Sequence, residues 1–286
     1  MTAPAKVDRH PINSETNQDG TRYYIHPTTG ERFISVTTVL GNIAKFGLTP
    51  WAAKLSATAA FDRLPQLVRA SRMPACNSTK TDDACGTCRD CVTYWLADRH
   101  NQVRDDAADL GVKLHDVAES DALFGEGAHI DEDVRPFVEQ FRRWRTAYEP
   151  EFLASEMTVV SRKWGYAGTL DAILSIPVMP KPLEHLSGLP NCVDWKTSKT
   201  VDRVKGWQVV AYANADAVLL PDGTELPMPE IKGGLIVHIR PDKVQMREVH
   251  LTSENFQYFV HMLRVVEGLS AGLNTVLSRP VTLKEN

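Results

Sequence analysis

The spacing of apolar positions predicts helices in the first half of the chain. Residues 21–40, TRYYIHPTTGERFISVTTVL, are the exception, since they read as two short strands joined by a Pro-Thr-Thr-Gly turn. Helical spacing follows in 49–70, where Pro50 stands near the predicted start, and again in 92–123 and 133–148. The intervening residues 71–91 have no periodicity and are rich in cysteine.

The pattern of the second half is dominated by strands. It predicts strands over 153–161, 166–176 and 190–196, a helix over 203–218, strands over 232–239 and 243–251, and a closing helix over 253–271. Helices before and after a central run of strands predict an α/β fold with a mixed central sheet flanked by helices.

Length and composition add a domain plan. A chain of 286 residues, 43% apolar and 24% charged, is ordinary for a globular protein. We expect a disordered tail over 1–20, a hairpin and helical region over 21–100 with a cysteine-rich insertion at 71–91, and a core over 101–286. No apolar run approaches the roughly 20 residues of a membrane helix, and the N-terminus lacks a secretory apolar core. We therefore expect a cytoplasmic protein without a membrane partner.

A candidate site lies in GTLDAILSIP and the later VDWKTSK. Side chains alternate along a strand, so Asp194 and Lys196 share one face. Asp171 supplies a second acid, and if the two strands are neighbours all three groups converge. Carboxylates suffice to hold Mg²⁺ beside a phosphate, and a lysine can orient or deprotonate a water or neutralise a phosphate oxygen. The Asp-x-Lys triplet alone, however, is better explained by acids at strand ends and a solvated lysine, and the surrounding residues must make the case for a site.

The surrounding motifs resemble a known family. GTLD, DWKTSK and the following Gln208-Val-Val-Ala-Tyr212 look like successive motifs of RecB-type nucleases in the PD-(D/E)XK superfamily, and Gly111-Val-Lys-Leu-His115 and Glu156 match two further motifs. The resemblance spans about residues 107–213, and the segment SVTTVL is similar to phage members. One departure is Asp194, where many superfamily members have glutamate.

The resemblance implies a role for each matching residue. It makes Asp171 and Asp194 metal ligands, with the Val193 or Trp195 carbonyl as a further candidate, and Lys196 the catalytic lysine. His115 would be an additional metal ligand, which favours Mn²⁺ or Mg²⁺. The remaining matches are Glu156 as a catalytic acid, Glu119 as a partner of the histidine or of a metal-bound water, and Gln208, Tyr212 and Ser198 as substrate-positioning residues.

Four of the five cysteines fall within sixteen residues, spaced C-x8-C-x2-C-x2-C: Cys76, Cys85, Cys88 and Cys91. Clustered thiols in a cytosolic protein indicate a metal site rather than disulfides. The spacing favours structural Zn²⁺, with a [4Fe–4S] cluster as the alternative. RecB-type relatives place three cluster cysteines near the C-terminus, whereas this chain has none after Cys192, which we interpret as a small buried hydrophobe.

The implied function is divalent-metal-dependent cleavage of DNA in recombination, replication or repair, with an exonuclease favoured and a structure-specific or nicking endonuclease as the alternative. No G-x-x-x-x-G-K-[ST] motif occurs, so ATP-driven unwinding would need a helicase partner; a recombinase or annealing protein is the other expected partner. A hypothesis of another class is an inactive module that binds DNA or protein through the four-cysteine segment.

Overall fold

The computed structural model describes residues 14–270 apart from 19, 44–46, 75, 77–84, 126 and 128. The chain divides into two units, one of residues 44–112 and one of residues 1–43 and 113–286. The predicted boundary at residue 100 therefore differs from the structural division, because the N-terminal hairpin groups with the core. Most of the predicted disordered tail lies outside the described residues; among those that are described, Ser14–Thr16 form a strand.

The larger unit contains most of the strands and helices. In chain order its elements are β1 (Ser14–Thr16), β2 (Arg22–Ile25), β3 (Arg32–Ser35), α1 (Val36–Gly41), the later part of α4 (Arg89–Phe124), α5 (Arg135–Tyr148), β4 (Glu151–Ser161), β5 (Tyr166–Ser175), β6 (Asn191–Lys196), α6 (Arg203–Ala213), β7 (Ala217–Leu219), β8 (Glu225–Pro227), β9 (Gly233–Arg240), β10 (Lys243–Val249) and α7 (Ser253–Ser270). The smaller unit holds α2 (Leu48–Asp62), α3 (Leu64–Ala70) and the first part of α4.

The strands form one mixed sheet that divides at β5. One edge of β5 pairs with β4 along its length, while the other pairs first with β3, at Tyr166 and Ala167, and then with β6, at residues 172–174. Beyond Val193, β6 leaves β5 but continues to pair with β9 in parallel. We call residues 168–171 of β5 and 194–196 of β6 the sheet fork, since the two partner strands diverge there.

Helices cover both faces of the sheet. Trp195 of β6 contacts the α5 rings of Phe141 and Trp144 edge-on, with centroids 5.4 and 5.5 Å apart. Cys192, on the opposite face by strand alternation, belongs to the core cluster that contains Val209 of α6 and residues of α1 and α7. The predicted α/β fold with a mixed central sheet flanked by helices is confirmed.

The smaller unit is helical. The helical spacing predicted over 49–70 corresponds to two helices, since α2 ends at Asp62 and α3 begins at Leu64. Pro65 explains the break, because it has no N–H with which to continue the hydrogen bonds of α2, whereas a proline is tolerated in the first turn of α3. Within the unit, the Ser56 hydroxyl donates to the Leu96 carbonyl at 2.8 Å, and the Arg63 guanidinium lies 3.9 Å from the Trp95 ring centroid.

Two further element predictions need correction. The predicted helix over 203–218 ends at Ala213, and its last residues form β7, which pairs with β4. The segment SVTTVL is mostly the helix α1 rather than strand, because Val36, Val39 and Leu40 bury one helical face. Within the described part of the chain, none of the helices combines the length and apolarity that crossing a lipid bilayer requires.

Candidate functional site

Asp171 lies at the sheet fork. Its side chain is buried, and its Oδ2 accepts a hydrogen bond from the backbone N–H of Trp195 at 2.7 Å. Since β6 has already left β5 at this point, a side-chain oxygen provides the acceptor that strand pairing would otherwise supply. The bond holds the two branches of the fork together and leaves Oδ1 of Asp171 directed at other groups.

Asp194 and Lys196 project from the other branch. They share one face of β6, and the Lys196 Nζ lies 2.6 Å from the Asp194 Oδ2. Both Asp194 oxygens are buried, and neither receives a hydrogen bond of good geometry from the described residues. The carboxylate therefore has an ionic partner but unused lone pairs.

His115 of α4 and Glu156 of β4 complete the cluster. The His115 Nδ1 lies 3.5 Å from the Glu156 Oε1 and 3.5 Å from the Asp171 Oδ1. One donor atom from each of these three residues falls within 4.8 Å of the others, which is suitable for a metal ion. Four separate elements, α4, β4, β5 and β6, thus deliver chemistry-bearing groups to one place.

Glu156 has an unusual backbone. Its φ is 50°, in the left-handed region that non-glycine residues rarely adopt. Its neighbours Ser155 and Met157 pair with Ala172 and Leu170, so Glu156 lies opposite Asp171 without regular pairing. The irregular backbone accompanies the approach of the Glu156 carboxylate to His115, and strained residues of this kind concentrate at functional sites.

The buried charges perturb one another. Burial raises the pKa of Asp171 above its usual value. Burial also raises the pKa of Asp194 to about 6, because the charge of Asp171 adds to it and Lys196 offsets it only in part. Burial opposes the charged form of His115, but Asp171 and Glu156 outweigh it and raise its pKa to about 9. In the same way Asp194 and Asp171 raise the pKa of Lys196. The site therefore holds three carboxyl groups beside two cationic side chains, His115 and Lys196, in a largely buried setting.

Two residues of α6 pack beside the fork. The Gln208 Nε2 donates to the Tyr212 hydroxyl at 3.1 Å, and Tyr212 is buried. A Cβ at Gly168 would lie 2.4 Å from the Tyr212 Cε1, so only glycine permits this approach of helix to strand. Nearby, the Tyr24 and Thr169 hydroxyls share a hydrogen bond of 3.2 Å. The close packing of Tyr212 against β5 therefore explains why the first residue of GTLD is a glycine.

The observed grouping differs in detail from the expected ligand set. Sequence reasoning placed Asp194 with His115 and Asp171, whereas the mutually close donors are those of His115, Glu156 and Asp171, and Asp194 contacts Lys196. Trp195 contributes its N–H to the site.

Two other predicted residues lie at the margin of the site. Glu119 is buried one helical turn beyond His115. Ser198 lies in the loop after β6, where its hydroxyl donates to the Thr200 carbonyl at 2.9 Å. Its carbonyl accepts from His238 Nε2 at 2.7 Å, so Ser198 fixes the loop that follows Lys196.

The four cysteines of the smaller unit converge as expected. Their sulfurs all lie within 4.8 Å of one another, with Cys76 to Cys91 at 3.3 Å, Cys76 to Cys88 at 3.6 Å and Cys85 to Cys91 at 3.7 Å. The N–H of Cys88 donates to the Cys85 sulfur at 3.3 Å. Hydrogen bonds from Thr87 and Cys88 lower the pKa of Cys85 to about 5, whereas the hydrogen bond to Cys76 raises the pKa of Cys91 to about 12. Without a metal, the four thiols therefore share their protons unevenly. The arrangement is compatible with a metal such as zinc.

Sequence reasoning missed His238, Arg240 and the Trp195 N–H. His238 and Arg240 alternate along β9, and Lys196 pairs with His238 in register, so the period-two pattern of GLIVHIR was an available signal. The Trp195 contact had no such signal, because it depends on where β6 leaves β5.

Comparison with known proteins identifies no family. No protein-family model matches the sequence, and no curated protein matches it. One similar solved structure is the crystal structure of SSO0001, with a TM-score of 0.27 and 14% sequence identity, covering 46% of this chain and 56% of that chain. The match spans little more than half of that protein. At this TM-score the similarity supports no functional argument.

Proposed function

We propose that this chain is a divalent-metal-dependent DNA nuclease with a PD-(D/E)XK-type core, acting as an exonuclease. The observation that carries the proposal is the convergence of His115, Glu156 and Asp171 beside the Asp194–Lys196 pair at the sheet fork. Acid, acid and lysine on neighbouring strands are the minimal set for metal-assisted phosphodiester hydrolysis.

The donor chemistry fits a divalent cation. Carboxylate oxygens from Glu156 and Asp171 suit Mg²⁺ or Mn²⁺, and the His115 imidazole shifts the preference towards Mn²⁺. Burial raises the pKa of Asp171 and Asp194 by disfavouring their charged forms, and a bound cation would offset that cost. When bound, a divalent metal lowers the pKa of a water and stabilises charge on the phosphate.

The other residues act by position and charge. Lys196 is protonated in this environment, so it neutralises a phosphate oxygen and orients a water; accepting a proton would require it first to lose its own. The N–H of Trp195 fixes Asp171, and the Gln208–Tyr212 bond fixes the helix edge beside the fork.

The cysteine cluster is proposed as a structural zinc site. Four thiolates at the Zn–S bond length of about 2.3 Å form a tetrahedron with edges of about 3.8 Å, close to the sulfur separations of 3.3–3.7 Å. A [4Fe–4S] cluster holds its ligand sulfurs apart around several irons, which does not fit sulfurs in mutual contact. A zinc-dependent binding module without catalysis is the competing function, and the intact acid and lysine set argues against it.

The decisive experiment is a nuclease assay on linear and covalently closed circular DNA with Mg²⁺, Mn²⁺ or EDTA. We expect metal-dependent degradation of the linear form alone, lost in Lys196→Ala and Asp171→Asn. Lys232→Ala is the matched control, since Lys232 is an exposed lysine paired with Glu230. Cleavage of the circular form indicates an endonuclease instead. Undiminished activity in Lys196→Ala, or none in the parent chain, overturns the proposal.

A further inference from the structure

A cleft of about 360 Å³ lies beyond the fork along β9 and β10. Its charged lining consists of four cations, Lys199, Arg240, Lys243 and Arg247, and one acid, Asp242. The chain as a whole carries a net charge of −4, so this concentration of positive charge is local. A concave surface lined by one sign of charge focuses its field on a ligand of the opposite sign.

The cations of the cleft are available to a ligand. Within the described part of the chain, Lys199, Lys243 and Arg247 are exposed and form no ion pair with a carboxylate. Other basic residues of the sequence differ in this respect. Arg142 is bound by the buried carboxylate of Asp121 at 2.8 and 3.0 Å, and Arg162 is paired with Glu225 and Glu31.

The floor of the cleft contains a buried polar group with an unused atom. The Ser198 carbonyl can only accept, so the His238 Nε2, 2.7 Å away, donates to it. His238 is only 5% exposed, and its Nδ1 has no hydrogen-bond partner in the described residues. Most buried polar atoms are paired, so an unpaired one in a pocket wall indicates a site for a ligand or ordered solvent.

Strand register connects the cleft to the fork. Lys196 pairs with His238, and His238 pairs with Gln245, so all three side chains lie on one face of the sheet. In the adjacent row, Asp194 pairs with Ile236 and Ile236 with Arg247. Two strand spacings therefore separate Asp194 from Arg247, about 10 Å. A polymer held at the fork can continue along the same face into the cleft.

We infer that this cleft binds the phosphodiester backbone of a single nucleic-acid strand whose scissile bond lies at the fork. The inference rests on the proposed function for the identity of the polymer, while the charge, the concave shape and the shared face define the site itself. Lysine and arginine side chains without carboxylate partners match phosphate oxygens and carry no base specificity. The cleft would therefore supply affinity and register rather than sequence preference.

The test is fluorescence anisotropy with a labelled single-stranded oligonucleotide, in EDTA so that no cleavage occurs. The variant is the triple substitution Lys199→Gln, Lys243→Gln and Arg247→Gln. Its control removes the same charge from exposed, ion-paired cations elsewhere: Arg135→Gln, Lys232→Gln and Arg264→Gln. We expect the cleft variant to bind about 10- to 100-fold more weakly at 0.1 M salt and its log–log salt slope to fall by about two.

Each outcome has one meaning. Equal weakening in the cleft variant and its control, or unchanged affinity in both, overturns the cleft. Displacement of the probe by inorganic phosphate as readily as by unlabelled strand assigns a small-anion site and also overturns the strand assignment. Because binding is measured without metal, a parent chain that binds through the cleft but never cleaves refutes the nuclease and leaves the cleft intact. Cleavage with cleft-independent binding does the reverse.

Discussion

The Asp171 carboxylate accepts the Trp195 N–H at 2.7 Å, across the point where β6 leaves β5. One oxygen of Asp171 therefore holds the fork together, while the other lies 3.5 Å from the His115 imidazole. Asp171 therefore has a structural role, as the acceptor for Trp195, and a chemical role, as a carboxylate beside His115. Different substitutions at Asp171 distinguish these two roles.

Asp171→Asn and Asp171→Ala should differ in stability but not in activity. Both remove the anionic oxygen, so both should abolish metal-dependent cleavage. Asparagine keeps an acceptor for the Trp195 N–H, whereas alanine leaves a buried donor unpaired at a cost of about 1–3 kcal/mol. Urea unfolding in EDTA should rank the asparagine variant above the alanine variant by that amount. Equal midpoints would show that the bond contributes nothing to the fold.

At position 156 a glycine variant should be more stable than an alanine variant, the reverse of the usual order. The φ of 50° at Glu156 suits glycine, so Glu156→Gly is expected to be about 1 kcal/mol more stable than Glu156→Ala. Glu151, at the start of the same strand, lies outside the left-handed region, and alanine should be the more stable choice there. Thermal unfolding of the four variants provides the measurement. An alanine preference at both positions contradicts the strained backbone.

Gly168→Ala tests the approach of α6 to β5. The new Cβ would lie 2.4 Å from the Tyr212 Cε1, so we expect a loss of about 1–3 kcal/mol in unfolding free energy. Adding Tyr212→Leu should recover part of it, because the ring edge is removed. Gly206→Ala is the control: its Cβ meets nothing nearer than 3.8 Å inside a helix, and the change should stabilise by up to about 1 kcal/mol. Neutral behaviour of Gly168→Ala would be inconsistent with the packing.

The cysteine cluster predicts one zinc per chain. Elemental analysis of the purified protein should find it, and Cys88→Ala should lose it, whereas Cys192→Ala in the core of the larger unit should keep it. Chelation should speed proteolysis within residues 71–91, since the proposed zinc would tie Cys76 to Cys85, Cys88 and Cys91. A brown absorbance near about 400 nm in anaerobic protein would establish iron–sulfur ligation in place of zinc.

Periodicity predicted the elements that bury a continuous face. The strands β4, β5, β6, β9 and β10 and the helices α5 and α7 lie within a few residues of their predicted bounds. Prediction failed where the local signal was short or conflicting. β7 and β8 have three residues each, too few for a period, and the β-branched residues of SVTTVL favour a strand although burial of Val36 and Val39 selects a helix.

The candidate site was predictable in its residues but not in its contacts. Alternation along VDWK places Asp194 and Lys196 together, and the family resemblance added His115 and Glu156. Two features depend on the register between β4 and β5. One is the left-handed backbone of Glu156. The other is that Glu156, rather than the expected Asp194, lies beside His115. Register is a property of paired strands, and one strand's sequence does not specify it.

The segment that joins β5 to β6 is long, from residue 176 to residue 190. It connects the paired ends of the two strands, which lie away from the fork. Three paired positions, from Leu174 with Asn191 to Ala172 with Val193, stand between that segment and the acids. These pairs fix the spacing of the strands before Asp171 and Asp194 are reached. Because a longer surface connection costs little additional closure entropy, the exposed part of this segment at residues 180–182 is a place where the chain can acquire new surface without moving the acids.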